Sequence, residues 1–213
     1  MDNTSTPAQA DLPSVLIIGD SISIGYTPFV REILSGKAAV WRPVRPDGGI
    51  INCGSTAAGV SELKQWLGNG RYDLITFNFG LHDIAYRHPD SPEQGHRDKV
   101  RGTLSVAPDA YRKNMETITR MLKETGARLI WVNTTLVPPG EIGRFEGDEV
   151  RFNRIAQDIM EREGIPVCDL HALTAAFDAA MFAGPGNVHY TKEGSCRLAE
   201  KVAEVIIRTL PCR

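Results

Sequence analysis

The tightest constraint on this chain is the steady exchange of short apolar runs for helical periodicity along its length. Val15–Ile18 reads as a buried strand that stops at Gly19-Asp20-Ser21, and Thr27–Leu34 then has helical spacing. Val40–Val44 reads as a second strand, Val60–Leu67 as a short amphipathic helix and Leu74–Asn78 as a third strand. Ala110–Thr125 places Tyr111, Met115, Ile118, Met121 and Leu122 on one helical face. Leu129–Asn133 is a fourth strand, Glu149–Glu163 a helix, Pro166–Asp169 a fifth short strand and Lys192–Thr209 the closing helix. Between them, His88 to Ala107 is polar and reads as an irregular loop over one face, and Pro138-Pro139-Gly140 opens another. Strands separated by whole helices are joined by crossovers, which makes them parallel. The pattern predicts a single three-layer α/β/α domain over residues 12–213, with a flavodoxin-like parallel sheet of about five strands and residues 1–11 as a flexible segment.

Composition narrows the classes of partner. The 213 residues carry a net charge of -2, which argues against nucleic acid as the main ligand. No apolar run approaches the roughly 20 residues of a membrane helix, so no membrane partner is expected. The segment from Met1 to Asp11 has neither the basic nor the apolar stretch of a secretory leader. The compartment and oligomeric state stay open. Cys53, Cys168, Cys196 and Cys212 form no CxxC pair, so zinc and redox motifs are unsupported and buried free thiols are expected. Trp41, Trp66 and Trp131 are expected in the core.

Ligands of open parallel sheets sit beyond the carboxyl ends of the strands. Asp20, Ser21, Asn52, Gly54, Ser55, His82, Asp83, Thr134 and Thr135 fall on that rim, and His189 lies just before the last helix. A serine at a strand-to-helix turn serves as a plain N-cap, or as a nucleophile whose developing charge meets the helix N-terminus. The second use needs a base, and His189 in Gly-Asn-Val-His-Tyr-Thr is placed to supply it.

Gly19-Asp20-Ser21 after the first strand, a glycine after the second, Gly80-Leu81-His82-Asp83 after the third and His189 before the last helix resemble the SGNH, or GDSL-type, hydrolases. The order spans nearly the whole chain, and the G-x-S-x-G signature of α/β-hydrolases is absent. The resemblance implies Ser21 as nucleophile and His189 as base. It implies an oxyanion hole from the N–H groups of Ser21 and Gly54 and from residue 82. It needs no metal and no cofactor. Two positions depart from the family. Residue 82 is histidine where the family has asparagine, and Gly186 stands where an aspartate precedes the catalytic histidine by three. His189 then needs another partner: a backbone carbonyl first, the Asn187 side chain, or a carboxylate such as Asp169 or Asp178.

Other polar residues have plainer readings. Asp20 shapes its turn, Asp83 holds a loop, and His171 starts a helix or lies on the surface. His88 and His96 belong to the polar insertion. Arg87, Arg97, Arg101 and Arg144 lie in the two long loops, where a carboxylate or acidic sugar would meet them, though solvated charge is the default. The expected activity is hydrolysis of short acyl esters, acetyl above all, on a carbohydrate or other small ester. The alternatives are a thioesterase or lysophospholipase of the same family, or a non-catalytic carbohydrate-binding module.

Overall fold

The computed structural model describes residues 12–210; the segment 1–11, expected to be flexible, and Cys212 lie outside the described residues. β1 (Ser14–Ile18) is followed by α1 (Ser21–Ile33), β2 (Ala39–Trp41), α2 (Thr56–Leu67) and β3 (Leu74–Phe77). A small ribbon of β4 (Tyr86–Arg87) and β5 (Thr103–Leu104) comes next. Then follow α3 (Pro108–Lys123), β6 (Arg128–Val132), α4 (Asp148–Glu163), β7 (Val167–Cys168), α5 (Leu170–Ala175) and α6 (Lys192–Thr209).

The main sheet has five parallel strands in the order β2-β1-β3-β6-β7. This is the flavodoxin-like order, reversing direction between β1 and β3. α1 and α6 pack together, while α2, α3 and α4 pack side by side, which gives the three layers. The central strands are apolar on both faces because helices cover both: Leu16, Ile17, Ile18, Phe77 and Trp131 are fully buried. Trp66 is also buried, but Trp41 is half-exposed, against expectation. β2 is an edge strand, and Trp41 is the one outward position of its three. Cys53, Cys168 and Cys196 are free thiols among the described residues, the first two buried.

Several boundaries differ from the sequence reading, α2 for one beginning at Thr56 rather than Val60, and three departures have a clear local reason. α1 begins at Ser21 rather than Thr27, because Asp20 caps it: its Oδ1 accepts the Ile22 N–H at 3.0 Å. The polar Gly-Asp-Ser-Ile-Ser stretch hides that first turn from periodicity. β2 ends at Trp41 rather than Val44, because Arg42 turns inward and is buried. The insertion is not irregular: β4 and β5 pair antiparallel and a short 3-10 turn covers Gln94–His96. A further short helix, α5, follows β7 where none was expected, capped by Asp169 through the Ala172 N–H at 2.9 Å.

Candidate active site

The Gly19-Asp20-Ser21 turn leaves β1 at its carboxyl end and places Ser21 in the first turn of α1. First-turn N–H groups have no intrahelical acceptor, so the Ser21 N–H stays available to a developing anion. A buried arginine braces this turn. Arg42 donates from Nη2 to the Gly19 carbonyl at 2.9 Å and from Nη1 to Ser23 Oγ at 2.8 Å. Nothing in the sequence motif points to Arg42 except its place directly after an apolar strand.

Ser21 Oγ lies 2.9 Å from His189 Nε2, although 168 residues separate them. On the far side of the ring, Nδ1 lies 2.9 Å from Asn187 Oδ1. The same Oδ1 accepts the His189 backbone N–H at 3.0 Å. A backbone N–H only donates, so the Asn187 atom facing it is the carbonyl oxygen and not the amide nitrogen. That oxygen can take only a hydrogen from Nδ1. The imidazole therefore carries its proton on Nδ1 and turns the Nε2 lone pair to Ser21, the arrangement a general base requires. The expected backbone carbonyl is replaced by the Asn187 side chain. Asp169 is engaged elsewhere, accepting from Asn133 Nδ2 at 2.7 Å. The Asp178 carbonyl accepts the Met181 N–H of a short turn.

The structure gives a steric reason for glycine at position 186. Gly186 has φ 65°, and a Cβ built there would lie 2.5 Å from the Gly140 carbonyl oxygen. The Pro138–Gly140 loop occupies the space an aspartate side chain needs. His189 keeps an exposed edge. Its pKa is lowered, first by partial burial of the ring; Asp20 opposes the shift, while Arg144 and Arg97 reinforce it. The ring is thereby held neutral at neutral pH.

His82 shares a cavity of about 240 Å³ with Ser21, His189, Asn52 and Val188. Its pKa is also lowered, chiefly by burial, with Asp20 opposing and Arg144, Arg87 and His189 contributing. A neutral ring there offers one N–H. The Gly54 N–H is engaged: it donates to Asn52 Oδ1 at 3.1 Å, and Asn52 rather than Gly54 lines the cavity. Gly54 has φ 63°, a turn conformation that suits glycine. Asp83 is fully buried away from the cavity, where Oδ1 accepts from Thr56 N at 2.9 Å and Thr56 Oγ1 at 2.5 Å. Burial pushes its carboxyl up to about 7. It pins the start of α2 to the loop after β3.

Three of the four loop arginines depart from the solvated-charge reading. Arg87, Arg97 and Arg144 all line the cavity, and Arg144 is 5% exposed. Both Arg97 and Arg144 bridge to Glu141, a fully buried carboxylate that no motif or spacing singles out. Arg101 is exposed and pairs with Asp98 instead. His171 lies in α5, 3.5 Å from Glu149, and does not line this cavity. His88 and His96 do not line it either.

A family model for GDSL-like lipases/acylhydrolases matches residues 17–195. No curated protein matches the sequence. Among solved structures, a lipase/acylhydrolase from Enterococcus faecalis is similar with a TM-score of 0.73 at 17% identity, over 95% of this chain and 99% of that one. The acetyl xylan esterase AlAXEase is similar with a TM-score of 0.71 at 15% identity, over 91% of this chain and 99% of that one. An acetyl xylan esterase from Geobacillus stearothermophilus has a TM-score of 0.69 at 16% identity, over 94% and 97% of the two chains. At these identities the structures speak for the fold, and the family match, over most of the chain, speaks for the class of chemistry. The chain belongs to the GDSL-like lipase/acylhydrolase family and is an ester hydrolase.

Proposed function

We propose that the protein hydrolyses short acyl esters, acetyl foremost, on a small or saccharide alcohol. The route runs through an acyl-Ser21 intermediate. The observation that carries this reading is the relay Asn187 Oδ1–His189–Ser21 Oγ, both of whose links measure 2.9 Å.

Ser21 Oγ attacks the ester carbonyl carbon while its proton passes to His189 Nε2. The oxyanion is received by the Ser21 N–H at the start of α1 and by the His82 ring N–H, with the Gly54 N–H joining when Asn52 turns off it. As the intermediate collapses, the imidazolium returns its proton to the departing alcohol. Water then attacks the acyl-serine with His189 again as base, which releases the acid and restores Ser21. Asn187 keeps the ring in the required tautomer but, being uncharged, stabilises the imidazolium less than a carboxylate would.

The limited cavity and its charged lining support short acyl groups over the long chains of a lysophospholipase. Two of the similar structures are acetyl xylan esterases, which is in keeping with a saccharide acetate. The test is turnover of p-nitrophenyl acetate through octanoate by the wild type and by Ser21→Ala, His189→Ala and His82→Ala. Fastest turnover of acetate, abolished in the first two variants and weakened in the third, is expected. Preference for octanoate would point to the lipase-like alternative. No turnover by the wild type would leave a binding module on a hydrolase scaffold.

A further inference from the structure

The cavity beside Ser21 holds more positive charge than a neutral ester calls for. Arg87, Arg97 and Arg144 line it, and among the described residues the one carboxylate bonded to any of them is Glu141. Glu141 is spent within the wall: Oε1 accepts from Arg97 Nη1 at 3.2 Å and Arg144 Nη1 at 2.8 Å, while Oε2 accepts the Gly143 N–H at 2.7 Å. Arg87 has no carboxylate partner among the described residues. His82 and His189 both have lowered pKa values and add no charge at neutral pH. Asp20 is buried behind Ser21 with Oδ1 on the Ile22 N–H. The cluster therefore keeps an excess of cations.

The three guanidinium groups are also held alike. Each is tied through Nε to an uncharged oxygen: Arg87 to Ser105 Oγ at 3.1 Å, Arg97 to the Gln94 carbonyl at 3.0 Å, Arg144 to the Leu81 carbonyl at 2.7 Å. Each is tied again through Nη1, Arg87 to the Gly95 carbonyl and the other two to Glu141. Each leaves Nη2 without a protein acceptor among the described residues. Fixing a long side chain costs entropy, and gathering like charges costs more. Arg87 shows the strain, its pKa lowered by burial and by Arg97. A ligand oxyanion offsets both costs, since guanidinium groups match carboxylate and phosphate geometry.

We propose that the natural substrate is an ester that itself carries an anionic oxygen group, a carboxylate or a phosphate, which Arg87, Arg97 and Arg144 hold while the scissile carbonyl meets Ser21. This rests on the ester-hydrolase reading above. In a cavity of about 240 Å³ the anion and the ester belong to one small molecule or one terminal unit of a larger one.

The test uses esters matched except for charge. 3-Acetoxybenzoate is compared with 3-acetoxybenzamide, which puts the anion on the alcohol. Mono-p-nitrophenyl adipate is compared with p-nitrophenyl hexanoate, which puts it on the acyl group. 3-Acetoxyphenyl phosphate against phenyl acetate separates phosphate from carboxylate. In at least one pair the anionic ester is expected to have a kcat/KM about 10-fold or more above its partner, mostly through KM, with the gap narrowing as salt rises. Arg87→Gln and Arg97→Gln are each expected to cut that ratio by about 10-fold. Equal or faster turnover of the neutral ester in every pair would overturn the proposal and leave the hydrolase reading intact. So would equal losses on both esters of a pair in the arginine variants, which would mark the arginines as structural. Absence of turnover on all six esters would instead count against the hydrolase reading itself.

Discussion

Asn187 does two jobs with one oxygen, and its replacements separate them. Asn187→Ala removes the acceptor that fixes the His189 tautomer, and kcat is expected to fall by about 10²-fold or more at unchanged fold. Asn187→Asp keeps both acceptor contacts and adds charge beside the imidazolium. It is expected to keep activity and to raise the His189 pKa, so that the acidic limb of the pH–rate profile moves upward. In the wild type that limb is expected below the ordinary imidazole range, because burial, Arg144 and Arg97 disfavour the protonated ring more than Asp20 favours it. Activity is therefore expected to persist through mildly acidic pH and to fall as pH drops through the lowered pKa. Arg97→Gln removes one of the cations and is expected to shift the limb upward, as read from kcat/KM against pH. At this scale the sequence was legible where the chemistry is local: Ser21 and His189 stand at junctions that topology puts on one rim. The arginines were legible only as a second choice beside solvated charge, because Glu141 gathers residues 97 and 144 from two separate loops, which no spacing rule reports. Asn187 was legible only as one choice among several, since its Asx turn is a matter of torsion angles.

At the scale of elements, the Pro138–Gly140 loop and the Gly186 turn form one unit. Gly186→Ala introduces a Cβ against the Gly140 carbonyl at a φ that L side chains rarely adopt. It is expected to cost about 1–3 kcal/mol in thermal unfolding and to slow kcat by displacing His189. Gly186→Asp is expected to fare no better, so returning the family's usual residue does not restore a carboxylate triad. Asp83 makes the opposite kind of prediction. Its carboxyl is pushed up to about 7 by burial, against an unfolded value near 3.9. Between those pH values the folded protein holds a proton the unfolded chain has lost, so stability falls as pH rises from about 4 to 7. Asp83→Asn is expected to flatten that slope in urea titrations run across the interval, while the Thr56 contacts persist through the amide oxygen. The insertion shows why elements were harder to read than strands. β4 and β5 contribute two residues each, too few to display alternation, and α1 loses its first turn to polar residues that the cap and the site require.

Across the whole molecule, the sheet was legible because its strands are short, apolar and buried on both faces, and because helices between them force parallel order. Trp131 lies at the centre of that arrangement, fully buried on β6 between β3 and β7. Trp131→Ala is expected to cost about 3–5 kcal/mol, seen as a lower urea midpoint. Trp41, equally apolar in sequence, lies at the edge and is expected to tolerate the same change far better. What the pattern could not reveal was how the rim is furnished, since burial of Glu141 and the inward turn of Arg42 depend on side chains meeting from separate loops. The 168-residue span between Ser21 and His189 has a further consequence, for biosynthesis. Ser21 leaves the ribosome before four of the five sheet strands, and His189 only after all five. On the proposed mechanism, a nascent or truncated chain carries Ser21 without its base and gains activity only once the segment around His189 has been delivered.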